Sequence, residues 1–284
     1  MANAGGGDPG QPQRLTFRMQ QKWAGCFGIV LLAVSAAYAD AGKDTIDAAR
    51  YASPTERYGH FALGRPHEYA VLEASTANGK RLRLQLPDDE VFEDLAPRLV
   101  KLSADAPTTL LTIVSERHRG ARLVLIEQSG NQLRIAAQSD PIGTPHRWLN
   151  PVGVADLDGD GRAEIAAVTT PHIAGSLKIY QRQGHRLVEK ASRAGLSNHI
   201  YGSTQLGLSM PVPVAGNMLL LVPDQQRDSL RLIAFRNGQL SEAGRCMLAT
   251  KITGTITRLP PDKVMAITAA GTETIELSRC IQSD

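Results

Sequence analysis

The most informative segment of this sequence is Val152-Gly-Val-Ala155-Asp156-Leu-Asp158-Gly-Asp160-Gly-Arg162-Ala-Glu164-Ile-Ala-Ala-Val168. Two short apolar runs flank a turn rich in aspartate and glycine. Runs of four or so apolar residues bounded by turn residues are typical of strands, and helices need longer periodic segments. The stretch therefore predicts a β-hairpin closed by an acidic loop.

A second hairpin signal recurs along the chain at a nearly constant spacing. The dipeptides are Asn78-Gly79, Ser129-Gly130, Gln183-Gly184 and Asn237-Gly238, and their glycines are 51, 54 and 54 residues apart. Glycine supplies the positive φ of a tight hairpin turn, and short alternating apolar runs flank each dipeptide. A further pair of apolar runs, joined by a variable loop, precedes the later hairpins. Each unit of about fifty residues therefore predicts four short antiparallel strands.

Four-stranded units repeated in this way predict an all-β fold, a β-propeller of about five blades. Complete blades are expected at residues 98–139, 151–192 and 211–248, with a partial blade at 252–280 and another from Tyr58 to Leu86. Residues 44–52 are expected to complete the short last blade. A β-sandwich is the alternative architecture.

The acidic loop has the donors for a calcium site. Ca²⁺ takes six to eight oxygen ligands, and carboxylates at alternate positions of a tight loop can turn toward one centre. The side chains of Asp156, Asp158, Asp160 and Glu164 would supply most ligands. The twelfth position, where an EF-hand has a bidentate glutamate, is Ala167, and the flanks are β-type. We therefore expect a structural Ca²⁺ between two strands.

The segment near residues 151–192 resembles the calcium-loop repeat of the FG-GAP/VCBS family, whose propeller repeats also occur in integrin α heads. In that family the loop joins the first two strands of a blade. The resemblance implies that Asp156, Asp158, Asp160, the Arg162 carbonyl and Glu164 are the ligands. The equivalent loops of the other units lack the acidic set.

The N-terminal 39 residues have the pattern of a signal peptide. Arg18 and Lys22 precede an apolar run that is too short to span a bilayer, and Ala37-Tyr-Ala39 is a typical cleavage site. We expect cleavage after Ala39, with translation starting at Met1 or Met19. Residues 40–284 would then form a single propeller domain in the periplasm or outside the cell, with no transmembrane segment.

The charge and the cysteine content are consistent with a location in the periplasm or outside the cell. Residues 1–39 hold three of the 31 basic and one of the 28 acidic residues, so the remainder carries a net charge of +1. Such a surface offers no footprint for nucleic acid. Two cysteines remain, Cys246 and Cys280, and a disulfide between them is expected in an oxidising compartment; two buried free thiols are the alternative.

Five of the seven histidines are expected on the propeller face opposite the calcium loop, because they fall in loops that emerge there. With their neighbours they form the candidate ligand or partner face: His67, His118, His146, Arg147, Trp148, His172, Asn198, His199 and Tyr201. Such a polar face can accept a ligand, a peptide or a second metal.

No sequence signature of an enzyme is present, whether nucleophile elbow, P-loop or dinucleotide fingerprint. The sequence therefore favours a monomeric, secreted or periplasmic module that binds a protein or glycan, with calcium in a structural role. The alternative is a hydrolase or lyase that uses the histidine face. A histidine beside a carboxylate at the centre of that face would favour the enzyme.

Overall fold

Nineteen β-strands and one 3₁₀ helix form the secondary structure of residues 45–281, the part of the chain that the computed structural model describes. The predicted signal peptide lies outside these residues. The fold is all-β, as expected. No helix within the described range is long and apolar enough to cross a bilayer.

The strands follow one another in five groups, of which the second to fifth match predicted units, whereas the first extends beyond the predicted Tyr58–Leu86 unit at both ends. The first group is β1 (Ile46–Pro54), β2 (Tyr69–Thr76), β3 (Arg81–Gln85) and β4 (Glu90–Phe92). The second is β5 (Arg98–Val100), β6 (Thr109–Glu116), β7 (Gly120–Ser129) and β8 (Gln132–Gln138). The third is β9 (Leu149–Ala155), β10 (Glu164–Thr169), β11 (Ser176–Gln183) and β12 (Arg186–Ala194). The fourth is β13 (Met210–Val214), β14 (Asn217–Pro223), β15 (Ser229–Arg236) and β16 (Gln239–Met247). The fifth is β17 (Ile252–Leu259), β18 (Lys263–Thr268) and β19 (Gly271–Glu276), followed by the 3₁₀ helix Leu277–Cys280.

Hydrogen bonding divides these strands into three sheets. The first three groups form one curled, half-barrel sheet with the order β1-β2-β4-β6-β7-β8-β12-β11-β10-β9, to which β3 and β5 add at the sides. The second and third groups meet in it through one parallel bridge, between Arg186 and Gln138. The strands β13–β16 and β17–β19 form sheets of four and three antiparallel strands.

All four predicted glycine hairpins are present, between β2 and β3, β7 and β8, β11 and β12, and β15 and β16. Their glycines have φ values between 61° and 84°. The assignment of residues 44–52 to the last group is wrong for the part described, because β1 pairs antiparallel with β2. The pairing places Tyr51 opposite Leu72 and buries both.

The hydrophobic core consists of four clusters, each shared by two successive strand groups. Leu72 and Leu110 belong to the first cluster, which joins groups one and two. The clusters that follow join groups two and three, three and four, and four and five. Strands inside such a stack bury both faces, and β6 accordingly has every residue but its last buried.

The predicted disulfide is confirmed. Cys246 on β16 is bonded to Cys280 at the end of the 3₁₀ helix, and their Cα atoms are 4.9 Å apart. An isolated bridge between Gly244 and Ile281 lies beside it. The bond therefore ties the end of the described chain to the fourth group.

Candidate functional site

The β9–β10 hairpin has a different set of chemical groups at each end. At one end the loop from Asp156 to Ala163 brings together three carboxylates. Oxygen atoms of Asp156, Asp158 and Glu164 all lie within 4.8 Å of one another. Glu164 is fully buried at the start of β10, and the two aspartates are half-buried.

Hydrogen bonds within the loop hold these carboxylates in place. Asp156 accepts hydrogen bonds from the backbone N–H groups of Gly159 at 2.8 Å and Gly161 at 3.0 Å. Both glycines have positive φ, 84° and 86°, which permits the wrapped backbone. Glu164 accepts from the Leu157 backbone N–H at 2.9 Å. The turn is therefore organised by its own acidic side chains.

The electrostatics of this loop favour a bound cation. Burial raises the pKa of Glu164, and the nearby charges of Asp158 and Asp160 raise it further, while hydrogen bonds from Gln181 and Leu157 lower it. A cation among these oxygens would lower the pKa of Glu164, and so would oppose the effects of burial and of the two neighbouring aspartates. An all-oxygen set with several carboxylates suits a hard ion such as Ca²⁺ better than a thiophilic metal.

Of the five predicted ligands, the carboxylates of Asp156, Asp158 and Glu164 converge. The Asp160 carboxylate is engaged within its own turn, where it accepts a 2.8 Å hydrogen bond from the Arg162 backbone N–H. It also lies 3.5 Å from the Arg162 guanidinium. The three convergent carboxylates form an acidic cluster that could hold a metal ion, and Asp160 lies at its rim.

The opposite end of the same hairpin opens into a small pocket. There the Thr170 N–H donates to the Trp148 carbonyl at 2.8 Å, which closes the end of the β9–β10 ladder. The cavity has a volume of about 210 Å³. Its lining consists of His60, His146, Arg147, Trp148, Thr170, His172, Ile173 and Tyr201. The acidic loop and this histidine-bearing pocket therefore lie at opposite ends of the β9–β10 hairpin.

Aromatic and imidazole rings pack against one another around this pocket. The rings of His60 and His146 stack with their centroids 5.5 Å apart. Tyr201 lies between His60 and His172, at 6.0 Å from the first and 5.3 Å from the second. Its hydroxyl donates to the His60 carbonyl at 2.8 Å. These contacts join residues from separate loops into one wall.

A buried carboxylate lies directly behind His60. Glu93 has no exposed surface, and its Oε1 is 2.8 Å from His60 Nδ1, although the contact is bent away from ideal hydrogen-bond geometry. Glu93 also accepts hydrogen bonds from the Ser115 hydroxyl at 2.6 Å and the Ala62 N–H at 3.2 Å. It thereby holds the imidazole at the pocket wall with Nδ1 directed inward.

His172 and His199 form a pair whose tautomers follow from their partners. His199 Nε2 is 2.8 Å from the Ser203 carbonyl, which can only accept, so this nitrogen carries the proton. In a neutral His199, Nδ1 then accepts, and His172 Nε2, 2.7 Å away, donates to it. Burial, chiefly, lowers the pKa of His172 to about 3 and that of His199 to about 4. Both rings are therefore neutral near pH 7, and His172 Nδ1 is unprotonated.

The structure brings most of the predicted face together and leaves out three of its members. His146, Arg147, Trp148, His172 and Tyr201 line the pocket, and His199 lies behind His172. His67 and His118 do not line it. Asn198 is fully buried and donates to the Asn150 carbonyl and the Ser209 hydroxyl, so it supports the loops rather than contacting a ligand.

The sequence did not predict two residues of this site, His60 and Glu93. His60 lies in the β1–β2 connection, which is equivalent to the β10–β11 loop that carries His172. That equivalence marks the loop, but His67 lies in the same loop, so it could not single out His60. No local signal marks Glu93, since it follows a three-residue strand, β4, that the apolar pattern did not predict.

Comparison with known proteins assigns the chain to no family. No protein-family model matches it, and no curated protein matches it. The similarity of the Asp156 loop to FG-GAP/VCBS repeats therefore depends on the loop residues and the repeat spacing.

Proposed function

We propose that this chain is an extracytoplasmic, propeller-type binding protein with structural calcium in the β9–β10 loop and a ligand pocket at the opposite end. The observation that carries the proposal is the convergence of His60, His146, His172 and Tyr201 on one small cavity. Few concave sites occur in a protein, and rings with a polar edge are typical of those that bind ligands. The predicted signal peptide and the Cys246–Cys280 bond support an oxidising location.

The core arrangement supports a propeller over a sandwich. A sandwich encloses one core between two sheets, whereas here four clusters alternate with five strand groups. In a propeller each blade packs face to face on the next, which produces such a series. We infer five FG-GAP/VCBS-like blades, of which the fifth has three strands in the described residues.

Calcium is expected to stabilise the fold without taking part in binding. With free Ca²⁺ at a hundred times its Kd, the free energy of unfolding should rise by about 2.7 kcal/mol. Urea unfolding in calcium and in excess chelator measures this difference. Asp156→Asn should abolish it, because the ion loses one of three convergent carboxylates.

Asp105→Asn is the matched control, because Asp105 occupies the equivalent β5–β6 loop, where no acidic cluster forms. This variant should keep the full response to calcium. Identical unfolding curves in calcium and chelator, with no calcium bound to the purified protein, would contradict the assignment.

The binding role can be tested with a library of small molecules and glycan fragments screened by thermal shift. Tyr201→Ala should weaken any ligand found by about fivefold or more, because truncating an aromatic residue that a ligand contacts can cost more than about 1 kcal/mol. His118→Ala is the control, since it removes an exposed histidine outside the pocket. Equal affinities in the two variants would place the ligand elsewhere.

An acid–base enzyme is the second candidate, and the His60–Glu93 contact favours it. A carboxylate behind a histidine orients the ring and stabilises its protonated form, which is how general bases and acids are often built. His60 Nδ1 is directed at Glu93, so Nε2 is the nitrogen left to exchange a proton with a substrate. A hydrolase or a lyase could use this arrangement.

If the protein is such an enzyme, His60→Ala should lower kcat by about 10²–10⁴-fold, the usual contribution of general acid–base catalysis. Glu93→Gln should also lower kcat, because the carboxylate that lies against His60 Nδ1 is lost. Turnover of glycosides and uronate-containing oligosaccharides, measured with His118→Ala as control, provides the assay. Full activity of His60→Ala would exclude this role.

A further inference from the structure

We propose that the pocket binds an organic anion, a carboxylate on an apolar or aromatic body, with Arg147 as the group that recognises the charge. The inference rests on the proposed binding function and specifies its ligand. It follows from the charge that lines the pocket, from a second cation on its His172 side and from the apolar residues at its mouth.

The lining of the pocket contains a cation and no anion. Arg147 is the one permanently charged residue among the eight that line it. Its Nη1 donates to the His146 carbonyl at 3.1 Å, and within residues 45–281 its guanidinium makes no ion pair. A guanidinium has five N–H donors in a planar fork that matches a carboxylate. Most of these donors remain for a ligand.

The two buried carboxylates beside His60 neither line the pocket nor form an ion pair with Arg147. Glu93 is fully buried behind His60 and accepts from Ser115 and Ala62. Glu68 is also fully buried, and three backbone N–H groups, those of residues 59, 60 and 61, donate to it. An anion entering the pocket therefore meets no opposing carboxylate at its surface.

A second cation, Arg227, lies on the His172 side of the pocket. Arg227 lies close enough to act on both His172 and His199, and its charge disfavours their protonation. It donates to the Ser197 hydroxyl at 3.4 Å, and no carboxylate in the described chain forms an ion pair with it. Charge that is only partly compensated by protein attracts ions of opposite sign into a concave site.

The mouth of the pocket selects an apolar body over a bare inorganic ion. Ile173 and Tyr201 are 59% and 58% exposed, and both line the cavity, so they offer apolar surface to a ligand there. At about 210 Å³ the cavity is smaller than the pockets of about 300–1,000 Å³ that hold drug-sized ligands. A single ring or short chain bearing one carboxylate matches this size and polarity.

The test compares two probes of the same shape, benzoate and benzamide, on the protein with ¹³C,¹⁵N-labelled histidine. Benzoate is expected to produce saturable shifts of the His60, His146 and His172 signals, and benzamide to bind at least about tenfold more weakly. Arg147→Gln should reduce benzoate affinity by about tenfold or more, since a hydrogen bond to a charged group contributes about 1.5–3 kcal/mol. Arg117→Gln, which removes an exposed arginine from the neighbouring β6–β7 loop, should have no effect.

The outcomes separate this inference from the binding function. Equal affinities for benzoate and benzamide, unchanged in Arg147→Gln, would overturn the anion inference and leave the pocket as a ligand site. The absence of saturable shifts with either probe would overturn both. Equal losses in Arg147→Gln and Arg117→Gln would show a general charge effect and would also refute the role of Arg147.

Discussion

Replacing Trp148 by alanine is expected to lower the free energy of unfolding by about 3–5 kcal/mol, the usual cost of truncating a buried tryptophan. The side chain is 1% exposed and belongs to the cluster between the second and third strand groups. Its ring also packs on His172 and His199, with centroids 6.0 and 4.8 Å away. The cavity left behind should therefore loosen the pocket and the core together.

Trp148→Phe is the matched variant for this experiment. It keeps an aromatic ring in the core but loses the 2.9 Å hydrogen bond from Nε1 to the Glu93 carbonyl. We expect it to cost less than the alanine variant and to retain part of the pocket. Urea unfolding followed by circular dichroism gives both values, because Trp148 is the one tryptophan within residues 45–281. A loss below about 1 kcal/mol in Trp148→Ala would contradict the burial described here.

Reducing the Cys246–Cys280 bond is expected to lower the free energy of unfolding by about 3–4 kcal/mol. The two residues are 34 positions apart, and a cross-link that closes a loop of this length removes that much conformational freedom from the unfolded chain in the chain-entropy model. The 3₁₀ helix and β16, which the bond joins, should lose the most stability. Urea unfolding with and without a reducing agent measures it.

The double variant Cys246→Ala, Cys280→Ala separates the cross-link from packing. Cys246 is 4% exposed and lies in the hydrophobic cluster of the fourth and fifth groups, so its replacement also removes buried sulfur. The double variant should therefore be somewhat less stable than the reduced wild type, and a reducing agent should not change it. If reduction leaves the wild-type curve unchanged, the bond contributes nothing to stability.

The sequence predicted most strands because a hairpin turn and its flanking apolar runs depend only on residues that are neighbours in the chain. A polar residue followed by glycine marks a hairpin turn wherever it falls between two short apolar runs, as at Asn78-Gly79 and Asn237-Gly238. Strand pairing across a longer connection has no such marker. Residues 44–52 were assigned to the wrong group for this reason, since β1 pairs with β2, which begins fifteen residues after β1 ends at Pro54.

The two candidate sites differ in how far the sequence could predict them. The ligands of the acidic loop lie within nine consecutive residues, so their spacing alone indicates a common centre. The pocket combines His60, Glu93 and His172, which are 33 and 79 positions apart in turn. Loop equivalence predicted part of this set, but it could not show that His67 and His118 lie away from the cavity while His60 lines it.

The sequence by itself determined an all-β chain of repeated hairpins, one acidic loop with the spacing of a calcium site, and a pair of cysteines suited to a disulfide. These features depend on neighbouring residues or on a fixed period, so they can be read along the chain. The tertiary structure alone decided that Glu93 lies behind His60, that His172 and His199 pair, and that Arg147 has no carboxylate partner among the described residues. Packing of separate strand groups creates these contacts, and the distance between two side chains in space is not encoded in their separation along the chain.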